Sequence, residues 1–452
     1  MKICAYVQEA YSKSNYKNEC MDTRQFVGLR VVVDCLERAG YTVDYAGIAT
    51  VHEYDVVLVS LTSDCDWWTY IAERLRWRKG DYKVLIGGAG VLHIAPFLPW
   101  FYAVMFGRGE DLIVPLVRAV EAGERYEHES ICYADTFSPD KIYRIAQAER
   151  PYCHQIKLSK TRNFAEGAIG CNHKCLFCGY TWQRKFVSPY EHYRMEDSLF
   201  GGIADKELAM LDLHKDPEGV DWAHLRTTAI DGFSERLRVG VGKPITREIM
   251  QEFLSAMLRY PGKAHQLKFF NICGYPSETE EDWLEFLEEL SLADGTAPRR
   301  DRQWSIVLHS TPFRPMPATP MACAPMSKRN YRGKISRILG PQLKGGLLYQ
   351  GRSLWSVESM GTESLSTVML SALAHRGSVD DCENIAKLCA TRKFWTASSA
   401  VKEATLSRYF DMDALFGPFT PNTLPSRYLR TYAKVERLWG KTPLEEALRG
   451  GP

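Results

Sequence analysis

Tyr54-Asp-Val-Val-Leu-Val-Ser-Leu61 is an almost unbroken β-branched and aliphatic run, and Lys83-Val-Leu-Ile-Gly-Gly88 is a second that ends in glycines. A strand with one wet face alternates apolar and polar residues. A run without alternation suits a strand buried on both faces, as in a parallel sheet between helix layers. Outward from these runs, Lys2 to Val7 predicts a first strand, and Asp22 to Ala39 a helix stopped at Gly40. Trp67 to Lys79 predicts a second helix, Ala103 to Phe106 a further strand, and Leu112 to Ala122 a helix closed by Gly123. Strand–helix alternation through residue 145 reads as a doubly wound, Rossmann-like parallel sheet, an α/β fold. Ligands of such sheets lie at the carboxyl ends of the strands, here Ser60 to Asp64, Gly87 to Gly90 and Gly107 to Glu110.

Residues 125 to 160 are polar and poorly periodic, and read as a linker with a small strand pair. A second alternating region follows, with a helix at Lys243 to Arg259, a strand at Leu267 to Cys273, an acidic helix at Thr279 to Ala293 and a strand at Trp304 to His309. From 327 on the pattern is helical, broken at Gly417-Pro418 and Pro421 to Pro425. The acidic run Glu278 to Glu289, interleaved with Trp283, Leu284, Phe286, Leu287 and Leu290, reads as an amphipathic helix with its acids in water, not as a metal site. Three domains are expected: residues 1–145, 146–330 and a mostly helical C-terminal cap, 331–452. A chain of 452 residues is too long for one ordinary core.

Composition removes several classes. With 45% hydrophobic and 25% charged residues the chain is neither disordered nor fibrous. No run approaches the roughly 18 apolar residues of a membrane helix. A net charge of +2 supplies no electrostatic ground for a nucleic-acid partner. The start lacks the order of a signal peptide, and the thirteen cysteines are odd in number and mostly scattered. Reduced thiols and a cytoplasmic location are the expectation.

One cysteine cluster stands apart: Cys171-Asn-His-Lys-Cys175-Leu-Phe-Cys178-Gly179. A zinc site wants a fourth ligand and pairs one C-x2-C with another, which this chain lacks. His173 lies between two of the cysteines, where ligation by all of them is awkward. Three thiolates from one loop suit a [4Fe–4S] cubane with one iron left open to a substrate.

CNHKCLFC resembles the CxxxCxΦC signature of radical S-adenosylmethionine (radical SAM) enzymes, with Phe177 as the aromatic residue. Three further segments are similar, in the same order, to those of the subgroup with an N-terminal cobalamin-binding-like domain. They are Asp231-Gly-Phe-Ser-Glu-Arg-Leu-Arg238 with Lys243, Phe270-Asn-Ile-Cys-Gly274-Tyr-Pro276-Ser-Glu278-Thr-Glu-Glu-Asp282, and Ser310-Thr-Pro312-Phe-Arg-Pro315-Met-Pro-Ala-Thr319-Pro320. The resemblance covers residues 1 to about 340. It implies a partial (β/α) barrel for the second domain and a [4Fe–4S] cluster on Cys171, Cys175 and Cys178. SAM would bind the fourth iron through its amino and carboxylate groups. One electron, from a donor such as flavodoxin or ferredoxin, would break its C–S bond and yield a 5′-deoxyadenosyl radical. Ser234, Glu235 and Arg236 match the segment that contacts SAM, and Gly274 and Pro276 the loop beside its adenine; Phe177 and Gly179 are expected to join the SAM-binding set, and Gly179 and Tyr180 to pack the cluster loop.

The chain also departs from the family's pattern. The strand end that binds the SAM amino group has no copy, since Gly201-Gly202 is followed by Ile203. Asp231 stands where the relatives often carry Glu. Classical cobalamin domains carry Asp-x-His-x-x-Gly, and none of His52, His93 and His128 fits that spacing. Either cobalamin binds without a histidine ligand, on Ser60, Thr62, Ser63, Gly87, Gly88, Gly107, Gly109 and Glu110, or the domain has kept the fold and lost the cofactor. Cys4, Cys20, Cys35 and Cys65 are too irregular for a second cluster. Methyl transfer to an unreactive carbon of a small molecule or modified residue is the leading reaction. A cobalamin-free rearrangement or ring closure is the alternative. A non-catalytic iron–sulfur or zinc scaffold, with Trp67, Trp68, Trp77 and Trp100 on its surface, is the third reading.

Overall fold

The apolar runs become the centre of a six-stranded sheet. The computed structural model describes residues 1–8, 27–154, 156–157, 163–164, 166, 169–171, 173–183, 185–187, 227–260, 266–296, 304–329, 331, 355–419 and 425–440. Within them, β1 (Ile3–Tyr6), β2 (Val43–Ala46), β3 (Val56–Ser60), β4 (Lys83–Gly87), β5 (Ala103–Met105) and β6 (Ile131–Tyr133) stand in the order β2-β1-β3-β4-β5-β6. Every neighbouring pair is parallel except β5 with β6. β6 corrects the reading of that stretch as linker. Its three residues are all buried, and they close the sheet edge with an antiparallel strand. A small strand pair is formed by β7 (Ile156–Lys157), inside that stretch, and β8 (Asn163–Phe164), beyond its expected end at 160.

Alternate residues of the strands serve opposite layers, since successive side chains point to opposite faces. Ile3, Ala5, Leu58, Leu85 and Met105 pack under the helices Val27–Arg38 and Ile113–Glu121. Tyr6, Val57, Val59 and Ile86 face a second layer that includes the helix Asp66–Arg74 and, from far along the chain, the helices Leu365–Arg376, Cys382–Ala390 and Ser399–Tyr409. The C-terminal region is thus more than a cap: it supplies part of the cover on one face of the first sheet. The expected tryptophan surface is corrected as well. Trp67, Trp68 and Trp77 are at most 6% exposed, and Trp67 stacks on Phe97 at 4.2 Å.

The second sheet is all parallel, in the order β12-β11-β10-β9: β9 (Thr227–Ala229), β10 (Gln266–Cys273), β11 (Trp304–Pro312) and β12 (Trp355–Thr362). β12 lies in the stretch read as helical, so this sheet extends beyond residue 330. The helices Arg247–Arg259 and Glu280–Thr296 cover one face through Phe253, Met257, Phe286 and Leu290. The first of them begins four residues later than its pattern suggests, where Thr246 accepts the Ile249 N–H as N-cap. The last helix, Ser426–Leu438, packs Tyr432 and Val435 against Leu237 and Tyr275. No helix among the described residues is long and apolar enough to cross a membrane.

The acidic helix is only half solvated. Glu280, Glu281 and Glu288 are exposed, but Asp282 and Glu289 are buried in ion pairs with Arg236 and Arg238. Arg238 forks onto both Glu289 oxygens, at 3.1 and 2.5 Å, and also donates to the carbonyls of Ile245 and Phe233. Removing one member of a buried pair strands the other charge, at a cost of about 3–5 kcal/mol. Arg238→Ala is therefore expected to lower unfolding stability in urea by about that amount. Arg238→Met with Glu289→Leu should recover most of the loss, because a matched apolar pair leaves no unpaired charge. A double variant as unstable as the single one would contradict this account.

Candidate functional site

The cysteine loop is held by backbone bonds from three sides. Leu176 N–H donates to Val241 O at 2.8 Å, Met321 N–H to Leu176 O at 3.3 Å, and the Trp182 indole to Cys175 O at 2.9 Å. Gly179 opens the short helix Gly179–Gln183, whose Thr181 hydroxyl returns to Cys171 O at 3.1 Å. Phe177 packs toward Tyr275, with ring centroids 6.5 Å apart. Burial pushes the Cys175 thiol up to about 12 and raises Cys178, while Lys243 favours the thiolate at both. The N–H groups of Thr181 and Tyr180 do the same at Cys178. Among the described residues, no group of three or more Cys, His, Asp or Glu side chains is placed to hold a metal ion.

Beside this loop lies a charge pair, Asp231 with Lys243. Asp231 follows β9 with φ +50°, in the left-handed region that a residue with a Cβ rarely adopts. Its carboxylate meets the buried Lys243 ammonium at 2.6 Å. The Tyr275 hydroxyl donates to Asp231 O at 2.9 Å. Both charges act on Cys175 and Cys178. A carboxylate, an ammonium and three thiols therefore collect at the carboxyl ends of β9 and β10.

The residues expected to contact SAM are engaged elsewhere. Ser234 Oγ donates to Asp282 at 2.5 Å, and Arg236 Nε to the same carboxylate at 2.7 Å. Glu235 accepts the Arg247 N–H at 2.6 Å. These three side chains lock a turn to the starts of two helices. Gly274 has φ +81°, but the close neighbour that its missing Cβ admits is the Tyr331 ring, at 2.8 Å, and not open space for a ligand. Its N–H donates to Glu278, a carboxyl that burial pushes up to about 7. Pro276 stands half-buried in the same turn. Gly201 and Gly202 lie outside the described residues.

At the carboxyl ends of the first sheet the structure brings together the expected set in a cavity of about 100 Å³. Ser60, Thr62, Gly87, Gly88, Gly107, Gly109 and Glu110 line it, and Ser63 does not. The glycines have another use than the one anticipated. A Cβ at Gly88 would fall 2.2 Å from Leu61 O, and one at Gly107 2.4 Å from Ala146 O, so these positions let strand-end loops cross. Arg108 clasps Glu166 with bonds of 2.7 and 2.6 Å and pairs with Glu110, whose carboxyl is raised by burial.

A larger cavity, about 700 Å³, opens between the two sheets. His93, Phe106, Tyr143, Trp182, Pro315 and His375 are on its wall. It reaches from the helix that carries Trp182, directly after Cys178, to the loop that follows β4, and it shares Leu92 and Ile145 with the small cavity. No sequence signal marks it, because its wall is drawn from distant segments. At its margin Asp64 bonds to Ser371 and stands 3.8 Å from Arg314 and 3.7 Å from His375, while Arg314 pairs with Glu363. Burial drives His375 down to about 4, so its ring is neutral at neutral pH.

No family model matches the chain, and no curated protein does. Solved structures similar to it include two of one enzyme. The cobalamin-dependent S-adenosylmethionine radical enzyme OxsB, with aqua-cobalamin and S-adenosylmethionine bound, aligns with 97% of this chain and 61% of its own, at 9% identity and a TM-score of 0.26. The same enzyme with aqua-cobalamin aligns with 98% and 62%, at 10% identity and a TM-score of 0.25. The chain thus spans about three fifths of the length of that enzyme. Likeness at these TM-scores does not assign a family.

Proposed function

We propose that the chain is a radical SAM enzyme of the corrinoid-using kind, a cytoplasmic C-methyltransferase built on a Rossmann-like sheet and a partial (β/α) barrel. The observation that carries this reading is the cysteine loop. It is clamped at the strand ends of the second sheet beside Asp231 and Lys243, and it abuts a 700 Å³ cavity that extends to the strand ends of the first. The residues fit the groups required. Three thiols of one loop, with N–H donors and a buried ammonium nearby, suit an iron–sulfur cluster. Asp231 and Lys243 offer opposite charges to a zwitterionic amino acid such as the methionyl end of SAM. The larger cavity, broad and aromatic between the sheets, would suit a flat macrocycle, and the small one under the glycine turns, which shares Leu92 and Ile145 with it, would face the tail.

When bound, the cluster supplies the electron that breaks the SAM C–S bond, and the corrinoid carries a methyl group. The chain's own part is to place and to shield. Trp182, Tyr143 and Phe106 keep water from the cavity, which strengthens charge interactions inside it. Lys243 offsets thiolate charge, and Asp231 holds Lys243 in place. The substrate is a small molecule or modified residue, and a flavodoxin or ferredoxin is the electron source. A cobalamin-free rearrangement or ring closure is the second reading, favoured by the small size of the strand-end cavity and by the backbone contacts that fill the places beside Gly88 and Gly107. The scaffold reading loses its binding surface with the burial of Trp67, Trp68 and Trp77.

Protein prepared anaerobically is expected to hold about four irons and four sulfides per chain. The triple variant Cys171→Ala, Cys175→Ala, Cys178→Ala should hold none. Iron retained by that variant would remove the proposal. SAM binding separates the two candidate contact sets. Lys243→Met should weaken SAM affinity by about 1–3 kcal/mol, the worth of a charged hydrogen bond. Arg236→Ala should leave SAM affinity near normal and lower thermal stability, because it frees the buried Asp282. The reverse pattern in calorimetric titration would return the role to Arg236.

A further inference from the structure

No histidine of the first domain has the Asp-x-His-x-x-Gly spacing, yet one of them is oriented as metal-binding histidines are. His93 lies in the loop after β4, on the wall of the 700 Å³ cavity. Its Nε2 stands 2.6 Å from Gly377 O. A carbonyl only accepts, so Nε2 carries the proton. Burial lowers the basicity of the ring, which holds it neutral with a single N–H. The lone pair is then on Nδ1. Among the described residues that atom has no hydrogen-bond partner, and it is not sealed in the interior as Nδ1 of His375 is. The acceptor is itself fixed. Gly377 ends the helix Leu365–Arg376 by donating to Leu373 O at 2.8 Å, and a Cβ there would fall 2.6 Å from that oxygen. A ring N–H given to a backbone carbonyl, with the other nitrogen bare, is the arrangement that orients a histidine toward a metal and raises its donor strength.

The geometry points to His93 Nδ1 as an axial nitrogen donor to the cobalt of a corrinoid in this cavity. The inference rests on the corrinoid reading above and adds a ligand from the β4 loop, a different place from the motif histidine. Imidazole suits first-row metals of this kind. His375 is the weaker candidate, because its Nδ1 is sealed and its Nε2 faces Asp64 at 3.7 Å.

Cobinamide tests this, since it lacks the nucleotide base and any nitrogen on its lower face must come from the protein. The full chain, with its cluster reconstituted, is loaded with cobinamide, desalted, reduced to Co(II) and examined by electron paramagnetic resonance. The expected spectrum shows the triplet splitting of one axial nitrogen. His93→Gln, which keeps a donor for Gly377 O, and His93→Ala should retain cobinamide and lose the splitting. His375→Ala should keep it, and added imidazole should restore it in His93→Ala. Cobinamide retained without splitting in the unaltered chain, or splitting that survives His93→Gln, overturns the assignment. Failure to retain either cobinamide or hydroxocobalamin overturns the corrinoid reading and this inference with it, and leaves the iron and SAM outcomes standing.

Discussion

Asp64 joins the two sheets. It leaves the end of β3 and meets Ser371, His375 and Arg314, while Arg314 turns to Glu363 after β12. These groups are shielded from water, and a shielded charge is costly unless it is paired. The pairing therefore fixes where the strand ends of the second sheet and the helix Leu365–Arg376 stand relative to the first. The 700 Å³ cavity is the space that this junction leaves open beside it. The carbonyl that orients His93 is held at the end of the same helix.

Chain order is a poor guide to which residues share a core. The first sheet would be bare on much of one face without Val368, Leu373, Ile385, Leu388 and Leu406, which enter more than two hundred residues after its last parallel strand. Arg376 reinforces the arrangement by donating to four carbonyls, those of Leu415, Gly417, Ala322 and Ala324. It ties the loop after β11 to the end of a short helix in the tail. The large cavity thus has one wall from each half of the chain, and neither half alone encloses it.

Around the cysteines, electrostatics and packing act together. Burial alone would keep the thiols protonated, and Lys243 and the N–H groups after Cys178 work against that. Lys243 can be buried because Asp231 is there to pair with it, and Asp231 keeps a left-handed backbone to do so. Strain of this sort persists only where the surrounding structure over-determines it, and it falls at the strand ends that face the cysteines.

The sequence by itself determined most of the elements. Two apolar runs without alternation could be satisfied only as parallel strands covered on both faces, and periodic apolar positions marked most helices to within a few residues. Three cysteines in eight residues marked the candidate loop, since their proximity is a property of the chain and needs no fold. What the tertiary structure alone decided was the partner of each polar group. Ser234 and Arg236 look equally suited to a ligand or to a helix start, and Asp282 claimed them only because the turn after β9 lies against that helix. The acidic run could not reveal that Glu289 would meet Arg238, and the glycines after β4 and β5 could not reveal which backbone would cross them. β12 was hidden because a strand added to a sheet edge gains its hydrogen bonds from a neighbour more than forty residues away. Motif spacing could not find His93, because its bare Nδ1 follows from a carbonyl 284 positions further along the chain.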